Sequence, residues 1–262
     1  MQYHIDTIPV WDAIKLNGEC PLCALKRKNE LMDVERFLGA SVMEPDTRIL
    51  VNQKGFCAHH LSILFTQKNR LGLALMLHTH MKEAGKTVED ALLKAREAQK
   101  QSGKALFKRM LKGANAPQTP LQEAAHTLSQ TASTCVLCDS INEHMKRYTY
   151  TMLYLWERDK DFRKAFSESK GVCIPHAAEL LSMAEDSLPA REIDGFVNTL
   201  SGLVSENLDR ITKEVEWFTL KFDYRNQDKP WGNSKDAVER ACNKMRGFCT
   251  GDEPWPENPS KK

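Results

Sequence analysis

The 262-residue chain carries a net charge of +2, with 27% charged and 41% hydrophobic residues, the balance of a globular protein able to bury a substantial core in one large domain or two smaller ones. So small a net charge gives no general argument for nucleic acid or an anionic membrane as partner, and no run approaches the ~20 apolar residues that span a bilayer. The opening Met1-Gln-Tyr-His-Ile-Asp-Thr7 has no basic stretch leading into an apolar one, so a cytoplasmic protein is expected.

In chain order, Pro9-Val10 opens a short segment that ends at Cys20 and Cys23. Leu25, Leu31, Val34 and Leu38 then follow at helical spacing. Lys54-Gly55 precedes Phe56-Cys57, and His60 completes a C-x-x-H at the start of a second apolar pattern, Leu61, Leu64, Phe65, Gly72, Leu75 and Met76. From Lys82 to Lys112 the chain holds nine Lys or Arg against four Asp or Glu. Acidic residues interrupt that run and no aromatic platform accompanies it, so a solvated helix face is expected and nucleic acid is not. Breakers and small polar residues from Gly113 to Pro120 form a linker, with the boundary near residue 118.

Beyond the linker the motifs return. Pro120-Leu121 leads to Cys135 and Cys138; Ile141, Met145, Tyr148, Met152, Leu155 and Trp156 share one helical face. Lys170-Gly171 precedes Val172-Cys173, with His176 in the C-x-x-H. Asp46 and Arg48 correspond to Asp161 and Arg163, so the match extends past the ligands and points to duplication of a unit of about 110 residues. A longer stripe from Ile193 through Phe196, Val197, Leu200, Leu203, Val204, Leu208, Ile211 and Val215 to Phe218 predicts a long amphipathic helix. Ser234 to Arg246 predicts a last helix ended by Gly247, and Glu253 onward reads as a tail. No convincing alternating strand appears. The expected fold is mainly α, with duplicated helical units over 1–118 and 119–226 and a C-terminal helix and tail over 227–262.

Paired C-x-x-C and C-x-x-H motifs, 33 or 34 residues apart, have the ligand types of a tetrahedral thiolate-imidazole site. The expected sites are Cys20, Cys23, Cys57 and His60 in the first half, and Cys135, Cys138, Cys173 and His176 in the second. Each motif at a helix start would direct both side chains to one point, and the positive end of the helix dipole would favour thiolate. His59 falls opposite Pro175, which cannot ligate, so His60 is preferred. Cys242 and Cys249 lack a paired histidine, and the single Glu123-Ala-Ala-His126 lacks the second copy that a di-iron site requires.

The chain resembles an uncharacterised bacterial family, a domain of unknown function typical of Gram-positive anaerobes. The resemblance rests on His4-Ile-Asp-Thr-Ile-Pro-Val10, Cys20-Pro-Leu-Cys23, Val42-Met-Glu-Pro45 with Arg48, Gly55-Phe-Cys57 with His60, and Lys221-Phe-Asp-Tyr-Arg-Asn226. It implies a soluble, intracellular, mainly helical protein with paired cysteine-rich sites, and carries no activity to transfer.

The expected function is a cytoplasmic metal-binding helical protein with two structural zinc ions that supports a binding or scaffold role toward a protein or small-molecule partner. Iron-sulfur clusters serving redox or catalytic chemistry are the alternative, and a nucleic-acid-binding regulator a more distant one. No triad, phosphate loop or carboxylate pair accompanies the ligands, so the sequence defines no catalytic residues.

Overall fold

A computed structural model of the chain describes residues 4–101 and 119–255. The linker from Gly113 to Gln118, the boundary at residue 118, the basic run beyond Gln101 and the end of the tail lie outside the described residues. Among the described residues there are eleven α-helices and no strand. They are α1 (His4–Lys15), α2 (Pro21–Leu38), α3 (Pro45–Lys54), α4 (Ala58–Thr66), α5 (Arg70–Gln101), α6 (Pro120–Ser133), α7 (Val136–Arg158), α8 (Lys160–Ser167), α9 (Ile174–Ser187), α10 (Ala190–Leu220) and α11 (Ala237–Arg246).

The compact units are cut at positions other than the repeat boundaries expected at residues 118 and 226. One compact unit consists of residues 1–31 with 141–262, and the other of residues 32–140. The cuts therefore fall inside α2 and α7, and the C-terminal helix belongs to the first unit, where it packs on α9 and α10. The reason lies in which buried faces each helix supplies. The first turns of α2 bury Leu22 and Leu25 in one core, while Val34, Phe37 and Leu38 of the same helix enter the other.

In the unit formed by residues 1–31 and 141–262, α7 buries Ile141, Met145, Tyr148, Met152, Leu155 and Trp156, all on the face the sequence marks out. From α10 the buried line is Phe196, Leu200, Leu203, Asn207 and Ile211, whereas Val197 is 37% exposed. Asn207 occupies an apolar position because its amide is satisfied locally: Nδ2 donates to Leu203 O and Oδ1 accepts from Arg210 Nε. Phe196 has no exposed surface; its ring stacks on Phe166 and meets Trp156 edge-on.

In the unit of residues 32–140, α5 packs against α3, α4 and α6. Ala91, Ala95 and Ala124 let α5 and α6 approach closely. The apolar pattern from Leu61 to Met76 is divided between α4 and α5 by a turn at 67–69. Asn69 sets that turn, its side chain accepting from Gly72 N and donating to Leu38 O. Phe65, next to the break, is 59% exposed beneath the Arg70 guanidinium.

Replacing Phe196 by Ala deletes a ring from a filled core and is expected to cost about 3–5 kcal/mol. Val197→Ala, one position round the helix, should stay within about 0.5 kcal/mol. Denaturant midpoints of the two variants, each compared with wild type, check the difference.

Candidate metal centres

All four ligand motifs sit at helix starts. Cys57 and Cys173 are the N-cap residues of α4 and α9, with matching extended backbone (φ −71°, ψ 166° and φ −72°, ψ 162°). Cys20 and Cys135 immediately precede α2 and α7, and their carbonyls accept from Ala24 N and Asp139 N. The second ligand of each motif lies three residues on, where side chains of an N-terminal first turn converge. A glycine precedes each C-x-x-H: Gly55 (φ 60°) and Gly171 (φ 68°) both occupy the left-handed half of backbone space that residues with a Cβ avoid. A Cβ on Gly55 would stand 2.3 Å from Nε2 of His80, whose Nδ1–H donates to Asn52 O.

The eight residues form two groups, but each group draws on both halves of the sequence. Cys20 and Cys23 meet Cys173 and His176 in one; Cys57 and His60 meet Cys135 and Cys138 in the other. This corrects the expectation of one quartet within each half. The reason is that α2 and α7 each begin in one core and end in the other: Leu22 and Leu25 of α2 are buried in one and Val34, Phe37 and Leu38 in the other, while Val136 and Leu137 of α7 are buried with Val34, and Ile141 and Met145 with Leu22. The C-x-x-C at each of these helix starts therefore belongs to a different unit from the C-x-x-H that follows it in sequence, and each group is complete within one compact unit.

In the first group, site I, His176 Nδ1 lies 3.3, 3.4 and 3.1 Å from the sulfurs of Cys20, Cys23 and Cys173, and Cys23 Sγ is 3.6 Å from Cys173 Sγ. In site II, His60 Nδ1 lies 3.3, 3.3 and 3.4 Å from Cys57, Cys135 and Cys138, and the Cys57 and Cys138 sulfurs are 3.7 Å apart. All six cysteines are free thiols, well beyond the ~2.05 Å of a disulfide. A tetrahedron around one zinc ion has S···S edges of about 3.8 Å and S···N edges of about 3.6 Å, from bond lengths near 2.3 and 2.05 Å. Both groups approach those edges. All four residues of site I are buried; in site II His60 and Cys135 are buried and Cys57 and Cys138 are half-buried.

Two positive helix ends point at each site, α2 and α9 at site I, α4 and α7 at site II. The thiols divide accordingly. Burial pushes Cys20 up, but hydrogen bonds from Cys173, Cys23 and His176 outweigh it and hold Cys20 well below the ordinary thiol value. Cys23 is driven the other way by its contacts with Cys173 and Cys20 and by burial. Burial opposes ionisation of Cys135 too, yet His60 and the backbone amides of Cys57 and Cys138 bring it down to about 6. Burial and the neighbouring sulfurs of Cys135 and Cys57 raise Cys138 to about 12. Burial lowers His176, and its sulfur partners Cys173 and Cys20 more than reverse this, lifting it to about 10.

The loops that carry the ligands are joined differently at the two sites. At site II, Val136 N donates to Gly55 O at 3.0 Å, Thr134 Oγ1 donates to Lys54 O at 2.6 Å, and Lys54 pairs with Asp139. At site I the residue corresponding to Val136 is Pro21, which has no N–H to give. There Lys244 of α11, 1% exposed, donates from Nζ to Glu19 O (2.9 Å) and Lys170 O (2.6 Å). Burial pulls the Lys244 ammonium below its usual value, and Glu19 and the Cys20 sulfur oppose that. Phe248 N donates to Cys23 Sγ at 3.3 Å, just after Gly247 (φ 82°) ends α11. Sequence reasoning did not single out Lys244 or Phe248. The only available signal was the echo of Gly55-Phe56-Cys57 in Gly247-Phe248-Cys249.

Residues 1–252 match the sequence profile of DUF6062, a family of unknown function. The chain belongs to that family. No curated protein and no solved structure matches it. Other candidates in this DUF6062 chain fall outside both sites. His59 is exposed, its ring 5.1 Å from that of His60. Glu123 and His126 are exposed on α6, and Cys242 and Cys249 are exposed thiols.

Cross-half pairing has a direct stoichiometric consequence. Removing Cys20 together with Cys173 should abolish one metal equivalent and leave the other, whereas Cys20→Ser with Cys57→Ser should abolish both. Metal analysis of the two purified double variants checks this, and within-half pairing requires the opposite result. Proton release is a second consequence, since metal binds thiolate and neutral imidazole. In the metal-free protein the raised His176 contributes stability that is fully present below its ordinary value near 6.5 and lost as pH rises through about 10. Loading at pH 7.5 should therefore expel protons from His176, Cys23 and Cys138. Calorimetry in buffers of differing ionisation enthalpy measures that release, and affinity should fall as the solution is acidified toward the Cys135 value of about 6.

Proposed function

We propose that the protein is a cytoplasmic scaffold of duplicated helical units in which two structural zinc ions, one in each Cys3His group, hold the helix starts together and so support binding of a partner protein. One observation carries the reading: three sulfurs and one imidazole nitrogen converge in each group with edges near those of a single-ion tetrahedron. Four protein ligands leave no open position for a substrate, which is the arrangement of structural rather than catalytic zinc. An iron-sulfur cluster places iron and sulfide between its cysteines and spreads them farther apart than one ion does. The contacts of 3.1 to 3.7 Å among these ligands favour the single ion.

Duplication is supported by the matched N-cap cysteines, the left-handed glycines before them and the placement of Asp46 and Asp161 in the first turns of α3 and α8. In this reading the two copies have exchanged ligand halves reciprocally. No helix among the described residues is long and apolar enough to cross a membrane.

A binding role is supported by the loop after α10. Lys221 Nζ donates to the carbonyls of Asn226, Gln227 and Lys229, and Asp223 is pinned by the Arg225 guanidinium and amide. Held this way, the loop presents Phe222 and Tyr224 at 72% and 79% exposure. Rigid, exposed aromatic side chains are the usual anchors of a protein interface, because little entropy is lost when they dock.

Protein purified without oxygen is expected to contain two equivalents of zinc and to lack visible charge-transfer absorption. Stripping the metal with a chelator should lower the melting temperature by ~10 °C or more, reflecting loss of several kcal/mol. Iron with acid-labile sulfide, or an unchanged melting temperature after zinc removal, would defeat the structural-zinc reading.

A further inference from the structure

We infer that the C-terminal segment Lys244–Phe248 is a working part of site I, with Lys244 as its positioning residue, and that it makes site I the slowly exchanging member of an unequal pair of metal sites. The inference rests on the metal-binding reading above and assigns the two sites different duties within it: site I permanent, site II exchangeable.

Pro21 is the origin of the asymmetry. At site II the two ligand-bearing loops are tied directly, through Val136 N–H and the Thr134 hydroxyl. Proline at position 21 removes the first of these ties from site I, and Glu19 stands where Thr134 stands at site II. Lys244 replaces both. Its ammonium joins the carbonyl one residue before Cys20 to the carbonyl three residues before Cys173, so one side chain sets the separation of the two chelating motifs. The position of Lys244 is itself fixed. Glu19, the nearest carboxylate, is held by Arg210 at 2.6 Å, and Arg240 pairs with Glu214 and Asp236.

Phe248 completes the segment. Its amide donates to Cys23 Sγ, and a sulfur that accepts such a bond carries its charge more readily and is less available to a proton or a competing electrophile. Gly247 permits the approach: a Cβ there would be 4.0 Å from the same sulfur, on a backbone with φ of 82° that favours glycine. No amide from a third segment reaches a site II sulfur among the described residues; the amides at Cys135 Sγ, those of Cys138 and Cys57, belong to the site's own two motifs. Site II also leaves Cys57 and Cys138 half-exposed, open to a chelator or an acceptor protein, while every site I ligand is at most 6% exposed. Partners of metal ligands typically alter affinity or rate by about 10- to 100-fold.

The test uses intact chain loaded with cobalt(II), whose thiolate charge-transfer bands report each tetrahedral site, and follows their loss to an excess of chelating dye. Wild type should release cobalt in two phases of equal amplitude, and Cys135→Ser should retain only the slow one. Lys244→Met should accelerate the slow phase about tenfold or more and leave the fast phase unchanged, with Lys244→Arg restoring much of the delay. A single phase in wild type, or an unaltered slow phase in a folded Lys244→Met protein, overturns the inference. Failure to bind cobalt at all would instead refute the metal-binding reading beneath it. If Lys244→Met does not fold, wild-type protein loaded with cadmium-113 decides: scalar coupling from one cadmium to the Phe248 amide proton is expected, and its absence overturns the assignment.

Discussion

Three sulfurs and a ring nitrogen packed within 4.8 Å of one another form a set that cannot be fully ionised unless a cation sits among them. Everything else about this fold follows from where those atoms must stand. The metal-free protein compromises by dividing its protons, lowering Cys20 and Cys135 while raising Cys23, Cys138 and His176. A dication removes the need for compromise. It would convert four repelling or proton-sharing groups into ligands and so hold together the helix starts that carry them.

Helix starts suit this task for two reasons. Their unpaired N–H groups and dipoles favour negative charge, and residues at the cap and three positions later face the same point. The four motifs use that geometry alike, with sulfur occupying the place where serine or aspartate would usually cap the helix. Glycine then lets the chain turn sharply into α4 and α9, and Lys244 or Thr134 satisfies the carbonyls left exposed by the turn.

Much of this is legible in the residues. The eight residues that gather into the two Cys3His groups, the buried faces of α7 and α10, and the end of α11 at Gly247 all follow from spacing and periodicity. The pairing does not, because either C-x-x-C gives a Cys3His set with either C-x-x-H. What decides is that α2 and α7 each begin in one core and end in the other, which parts every C-x-x-C from the C-x-x-H of its own half. The same crossing puts the limits of the compact units inside those two helices. Lys244 was invisible for another reason. A lysine near the end of a polar helix reads as solvent-facing, and only tertiary structure shows its ammonium closed over two distant carbonyls.

Cross-half pairing also makes the sites nested. The ligands of site II lie entirely within the stretch of chain that separates the two halves of site I: Cys57 to Cys138 spans 81 residues inside the 150 from Cys23 to Cys173. A chain emerging from the ribosome presents a complete inner set well before Cys173 and His176 exist. Closing the inner set roughly halves the free chain that the outer set must then close, easing that step by about 0.6 kcal/mol. Order of assembly is thus written into the topology, inner ring first, with the final clasp waiting for the last helix to be made.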